Sequence, residues 1–115
     1  MNDARIDELN KAIQLRDARC FDQAAVIIRT LREASTHPRD ISYLAVMEAS
    51  CYREMGDFEN AKGLLSKARA VGWKDDPVKL GIEHEATRIE RAQGRKAHAL
   101  KRTKGLLCKL VSSRA

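Results

Sequence analysis

The sequence predicts an all-α protein, and two observations carry that prediction. The composition favours helix, because aromatic residues make up only 4% of the 115 residues, proline occurs twice and strand-forming residues are sparse. Apolar residues also recur at helical spacing, and no segment alternates with the period of two that is typical of a strand. A chain of this length supports one domain with a modest core.

The helices are predicted from the turn-forming residues between them. Two such stretches, 35–40 (STHPRD) and 72–77 (GWKDDP), divide the chain into three segments of similar size. Each segment has a smaller interruption near its middle, at Arg19-Cys20, Gly56-Asp57 and Gln93-Gly94. We therefore expect a single domain over 1–115 with six helices in three antiparallel hairpins, at about 3–34, 38–71 and 77–111, and a short basic C-terminal tail.

The first two hairpins follow one plan. In each, an aromatic residue comes just after the predicted turn, followed by an acidic residue, an alanine and an aliphatic residue. The two aromatic residues, Phe21 and Phe58, are 37 positions apart, and Gly94 follows Gly56 by 38. A period of this length in helical hairpins is typical of an α-solenoid, in which each unit buries its face on its neighbours.

The second hairpin resembles a tetratricopeptide repeat. The resemblance rests on an order of small, aromatic, glycine, aromatic, small, bulky and small residues, here Ala49, Tyr52, Gly56, Phe58, Ala61, Leu65 and Ala68. The first hairpin matches at Ala12, Leu15, Phe21, Ala24, Ile28 and, less well, Leu31. The resemblance implies a right-handed superhelix whose concave groove holds a peptide or a partner segment along the first helix of each hairpin.

Carried over residue by residue, the resemblance implies two binding stripes. One consists of Tyr43, Val46, Ser50 and Arg53, and the other of Ile6, Leu9, Ile13 and Arg16. Because arginine pairs well with carboxylates, we expect a protein or peptide partner that is acidic or amphipathic. In the third segment the equivalent of Arg53 is Arg91 if the alignment rests on Gly94, and Glu90 if it rests on the apolar face of Ile82, Ala86 and Ile89.

The sequence contains no set of residues that predicts catalysis. His37, His84 and His98 lie at unrelated spacings, the glycines are scattered, and the three cysteines (Cys20, Cys51 and Cys108) lack the spacing of a metal site. The acidic residues Glu83, Glu85 and Glu90 are interpreted as exposed charge on a helix. We predict a non-catalytic interaction module, an adaptor or a chaperone-like binder, without a metal or a cofactor.

The charge distribution predicts an alternative function. The net charge is +6, yet no acidic residue follows Glu90, while eight basic residues do. A helix over 91–114, with Lys101, Arg102 and Lys104 at its centre and Ala97, Leu100, Leu107, Leu110 and Val111 toward one side, would be cationic and amphipathic. Such a helix could bind nucleic acid or an anionic membrane, although it has no aromatic residue to stack on bases.

The first helix predicts self-association or a partner. Ile6, Leu9 and Ile13 share one stripe, and no preceding repeat covers them. A helix rotated so that it buries these residues is the alternative.

The opening residues lack the pattern of a secretory signal, and no apolar run approaches the ~18 residues of a membrane span. We therefore expect a cytoplasmic protein.

Overall fold

The computed structural model is helical, with no strand in the described residues, which are 2–114 for the backbone and 2–105 for the side chains. Its helices are α1 (Asp3–Asp17), α2 (Phe21–Glu33), α3 (Pro38–Glu54), α4 (Phe58–Val71) and α5 (Asp76–Arg114). Each helix packs against the next one along the chain, and α5 also packs against α3. The predicted all-α class is confirmed.

Polar side chains and one glycine define the helix ends. The side chains of Asn2, His37 and Asp57 accept hydrogen bonds from backbone amides in the first turns of α1, α3 and α4, which satisfies donors that have no partner within a helix. Gly72 ends α4 with φ 70°, a left-handed conformation that glycine adopts without steric cost. These ends place the longer connections at 34–37 and 72–75, which overlap the two stretches where the sequence predicts turns.

The turns of the first two hairpins share one geometry. The amide of Cys20 donates to the carbonyl of Leu15 at 2.8 Å, and that of Asp57 donates to the carbonyl of Tyr52 at 2.9 Å. The residue before each donor has a positive φ, 65° at Arg19 and 79° at Gly56. This six-residue closure is a common way to end a helix, and here it recurs at a separation of 37 residues.

Two hydrophobic cores lie on opposite sides of α3. The first joins α1, α2 and α3 through residues that include Ala12, Ala24, Ile28, Leu44 and Cys51. The second joins α3, α4 and α5 through residues that include Ala45, Ala49, Ala61, Leu65, Ile82 and Ile89. The buried alanines let neighbouring helices approach closely. Helix α3 therefore contributes to both cores and holds the two halves of the domain together.

The prediction of a third hairpin over 77–111 is wrong, and so is the count of six helices. One helix, α5, runs from Asp76 to Arg114 and passes through Gln93 and Gly94 without a break. A glycine within a helix costs only about 1 kcal/mol relative to alanine, which is too little to end a helix by itself. The residues that follow Gly94 decide the outcome.

Gly94 lacks the partners that close the second turn. After Gly56, Asp57 caps α4 and Phe58 packs against the second core. After Gly94, the chain has Arg95 and Lys96, which offer neither a capping acceptor nor an apolar ring. All side chains from Gly94 to Gly105 are exposed, and Leu100 is the one large apolar residue in this stretch.

The first part of α5 repeats the burial pattern of α3. Ile82 and Glu85 are buried 37 residues after the buried Ala45 and Glu48. This pattern favours the alignment on the apolar face, in which the exposed Glu90 is the equivalent of Arg53.

Within the described residues, none of the helices has the length and hydrophobicity that a membrane span needs.

Candidate functional site

A cleft of about 560 Å³ opens between α3 and the first turns of α5. Its apolar walls are Tyr43, Val46 and Met47 on α3, and Pro77, Val78 and Gly81 on α5. Tyr43 is 48% exposed, so its ring is available at the mouth. We call this the apolar cleft; it contains Tyr43 and Val46, two of the predicted binding residues.

A second cleft, of about 320 Å³, lies further along the same two helices. It is lined by Arg16, Phe21, Ser50, Arg53, Glu54, Glu85 and Arg88. We call this the charged cleft. The structure thus brings Arg16 and Arg53 together, as the repeat alignment predicts, but with two carboxylates and a third arginine around them.

The two clefts follow one another along the same faces of α3 and α5, and we call the two together the groove. On α3, Tyr43 and Val46 line the apolar cleft, and Ser50 and Arg53, at the next positions on the same helix face, line the charged cleft. The face of α5 that carries Val78 and Gly81 likewise continues into the charged cleft. From position 43 to position 53 the groove extends about 15 Å along α3, long enough for a short peptide segment.

Arg53 is bound within the protein. Its Nε donates to Glu85 Oε2 at 2.7 Å, and its Nη1 donates to Glu54 Oε1 at 2.7 Å. Burial lowers the pKa of Arg53, but the hydrogen bonds and charges of Glu85 and Glu54 outweigh burial and raise that pKa above its usual value. The guanidinium is therefore a clamp between α3 and α5, and a partner carboxylate would have to share it.

Arg16 is the more accessible arginine of the charged cleft. It is partly exposed, and it makes no ion pair with any described residue. Arg88 lies 4.0 Å from Glu85 and is 60% exposed, so its side chain is also available. Of the two predicted anchors, Arg16 is thus the one with an uncommitted guanidinium.

Helix α1 presents less apolar surface than the sequence suggests. Leu9 and Ile13 pack against the first core, while Ile6 is 43% exposed. None of the three lines the groove between α3 and α5. Helix α1 is therefore rotated so that the protein itself covers most of the apolar stripe, which is the alternative given above. Self-association through α1 stays a prediction, and it depends on Ile6.

Sequence reasoning missed every groove residue of α5 and of the connection before it, among them Asp75, Gly81 and Glu85. Glu85 was interpreted as exposed charge, yet it is only 1% exposed, whereas Glu83 and Glu90 are exposed as predicted. One signal was available for Glu85. It follows Glu48 by 37 residues, and Glu48 is also buried and ion-paired, to Arg32 at 2.8 Å.

The basic residues of the alternative function lie elsewhere on the molecule. Lys101, Arg102 and Lys104 are exposed on α5, beyond the residues that contact α3 and α4 in the second core. Leu100, on the same segment, is 54% exposed. Leu107, Leu110 and Val111 of the predicted apolar side lie outside the residues whose side chains are described.

No arrangement of three or more metal-binding side chains occurs among the described residues. The same part of the chain has one buried thiol, that of Cys51, and burial raises its pKa.

No protein-family profile, no curated protein sequence and no solved structure matches the chain. The groove therefore has to be interpreted from its own geometry.

Proposed function

We propose that the protein is a non-catalytic binding module that holds a protein or peptide segment in the groove between α3 and α5. The observation that carries the proposal is that the apolar cleft and the charged cleft follow one another along one face of α3. Apolar walls provide area for binding, and charged groups at defined positions provide orientation. The partner proposed is an amphipathic or acidic segment, with Tyr43 and Val46 as apolar contacts and Arg16 as its carboxylate anchor.

A solenoid resembling tetratricopeptide repeats is part of this proposal. Three repeated features support two complete units followed by the first helix of a third. They are the turn geometry shared by the first two hairpins, the two buried glutamates, and Ala12 and Ala49, which are separated by the same number of residues as the two turns. In such an array the first helices line the concave side. The groove between α3 and α5 would then be the concave surface between the second unit and the incomplete third.

Filling the apolar cleft tests the proposed function. Gly81 lines the apolar cleft, and a Cβ atom there would meet no other heavy atom within 4 Å, so Gly81→Leu directs a side chain into the cleft. The change should also stabilise α5 by about 0.5–1 kcal/mol, because leucine has the higher helix propensity. We expect partners captured by the wild-type protein, and resistant to nuclease, to be lost by Gly81→Leu although the variant melts at a higher temperature.

Gly94→Leu is the matched control. Gly94 lies in the same helix, also has open space around it, and lines neither cleft. It should gain similar helix stability and retain the partners. Equal retention by Gly81→Leu and Gly94→Leu, measured by quantitative mass spectrometry, would show that the groove is not the binding surface.

A second candidate function, binding of nucleic acid or of an anionic membrane by the basic segment 91–114, is favoured by one observation. Every described basic side chain of this segment is exposed, and the segment itself contains no acidic residue. These residues are Arg91, Arg95, Lys96, Lys101, Arg102 and Lys104. Positive charge that no acidic neighbour offsets attracts polyanions.

Charge reversal tests the second candidate. Affinity for random duplex DNA or for anionic vesicles should fall steeply as the salt concentration rises. For the duplex, the logarithm of the binding constant should fall with the logarithm of the salt concentration, with a slope of about −0.9 per neutralised phosphate. Changing Lys101, Arg102 and Lys104 to glutamate should abolish the binding. The control reverses Lys67, Lys74 and Lys79, which are exposed outside this segment. If both triple variants weaken binding equally, only net charge matters and the segment is not a specific site.

A further inference from the structure

We propose that the apolar cleft binds a lysine or arginine side chain of the partner, with Asp75 accepting its charged tip. This inference rests on the proposed function, because it specifies which chemistry the same groove selects. It differs from the carboxylate preference of the charged cleft. The groove would therefore recognise a segment that carries a cation at one end and a carboxylate at the other.

Asp75 provides the first argument. Its Oδ1 atom is buried and has no hydrogen-bond partner among the described residues, although the residue lines an open cleft. A buried carboxylate oxygen without a donor is costly. Because Oδ1 has no accessible surface, a ligand would reach the carboxylate through its other oxygen, and a charged donor there would offset the charge more effectively than a neutral one.

The charges around the cleft provide the second argument. Asp40 and Asp75 contribute two carboxylates, and Arg39 contributes one guanidinium. Helices α3 and α5 both begin here, so the positive ends of their dipoles oppose a cation, but the two carboxylates lie where they offset those dipoles. The guanidinium and the two dipole ends, of about half a unit charge each, together balance the two carboxylates, so a cation meets no net repulsion and direct contact with Asp75 selects it.

The shape of the cleft provides the third argument. Gly81 leaves open the space that Leu44, its equivalent 37 residues earlier, fills as a fully buried residue. Tyr43, Val46 and Val78 offer apolar surface to the aliphatic stem of a long side chain. The exposed ring of Tyr43 can in addition pack against the cation.

The connection that carries Asp75 is held in place. The ring of Trp73 packs edge-on against His37, with 5.1 Å between the ring centroids, and His37 caps α3. The carboxylate is thereby positioned before a ligand arrives. Positioning of this kind reduces the entropy that binding must offset.

The test uses small probes that reproduce the side chains alone. In ¹⁵N-labelled protein, n-butylammonium and n-propylguanidinium should shift the backbone amide signals of Asp75, Val78 and Gly81. The uncharged n-butanol should require roughly tenfold higher concentration for the same shift, and butanoate should not bind. Equal shifts by butanoate, or cation-induced shifts confined to other residues, would overturn the inference.

Asp75→Asn is the informative variant, because asparagine keeps the shape and the capping ability of aspartate. It should remove the preference for n-butylammonium over n-butanol and leave the affinity for n-butanol unchanged. Asp76→Asn, an equal charge change at the exposed neighbouring residue, should preserve the preference. Loss of the preference in both variants would show that net charge, not Asp75, selects the cation.

Failure of this inference is distinguishable from failure of the proposed function. If partners are lost by Gly81→Leu but the probes show no preference for cations, the groove binds a partner without the chemistry inferred here. If the partners are retained by Gly81→Leu, the groove itself is not the binding surface.

Discussion

Arg53→Ala is expected to lower the free energy of unfolding by about 3 kcal/mol, because it leaves the carboxylate of Glu85 buried without its principal cation. Glu85 is 1% exposed, and the Arg53 side chain is 17% exposed. For a domain of this size the loss corresponds to a fall in melting temperature of roughly 10 °C or more. Thermal and urea unfolding followed by circular dichroism measure the change directly.

The neighbouring ion pairs provide the controls for this prediction. Arg69 and Glu83 form a pair of comparable length, 3.1 Å, but their side chains are 48% and 67% exposed. Arg69→Ala should therefore cost less than about 1 kcal/mol. Arg32→Ala, which leaves Glu48 buried and unpaired, should behave like Arg53→Ala and not like Arg69→Ala.

A double variant separates the buried charge from lost packing. Replacing both partners of a buried pair by apolar residues of similar volume is often neutral or stabilising. Arg53→Met combined with Glu85→Leu should therefore recover most of the stability that Arg53→Ala loses. If the double variant is as unstable as the single one, the pair contributes through its geometry and not through compensation of the Glu85 charge.

The continuity of α5 leads to the second prediction, which concerns the distance between two labels on this helix. That distance should be about twice the distance expected for a closed hairpin. Nitroxide labels at positions 79 and 104, both exposed, should lie about 38 Å apart, because 25 residues of helix rise 1.5 Å each. In a closed hairpin the same labels would lie within about 20 Å, since packed helices are 8–10 Å apart. Electron–electron double resonance distinguishes these distances after Cys20, Cys51 and Cys108 are replaced.

Two variants at Gly94 sharpen the distance measurement. Gly94→Ala should leave the mean distance unchanged and narrow its distribution, because alanine is the stronger helix former. Gly94→Pro should shorten and broaden the distribution, because proline removes a backbone donor and kinks the helix. A wild-type population near 20 Å would show that a third hairpin forms and would contradict the continuous α5.

The elements predicted correctly from the sequence are those with local signals. The turn at Gly56-Asp57 has a glycine for the positive φ, an aspartate to cap α4 and Phe58 to enter the core. The apolar spacing around it determines which face is buried, as the burial of Ala49, Ala61 and Leu65 shows. The first turn was predicted from its resemblance to the second, although Arg19 takes the position of the glycine.

The third turn was predicted from spacing alone, and spacing was not sufficient. Gln93-Gly94 has the right distance from Gly56, but it is not followed by a capping residue and an aromatic residue like Asp57 and Phe58. By contrast, the position of Arg16 and Arg53 in one cleft could be inferred from the sequence, because the two residues occupy equivalent positions in the first two hairpins. The commitment of Arg53 to Glu85 could not, because it depends on how closely α5 packs against α3.

By itself, the sequence determined the helical class, the places of the first two hairpins and the basic character of the C-terminal segment, since each depends on neighbouring residues. Only the tertiary structure decided that Glu85 is buried, that Gly81 opens a cleft and that Asp75 lines this cleft while its Oδ1 atom has no donor among the described residues. These properties arise from the packing of α5 on α3, between residues more than 20 positions apart. Local sequence does not encode the distance between such groups, and that distance determines whether a charge is exposed, paired or available to a partner.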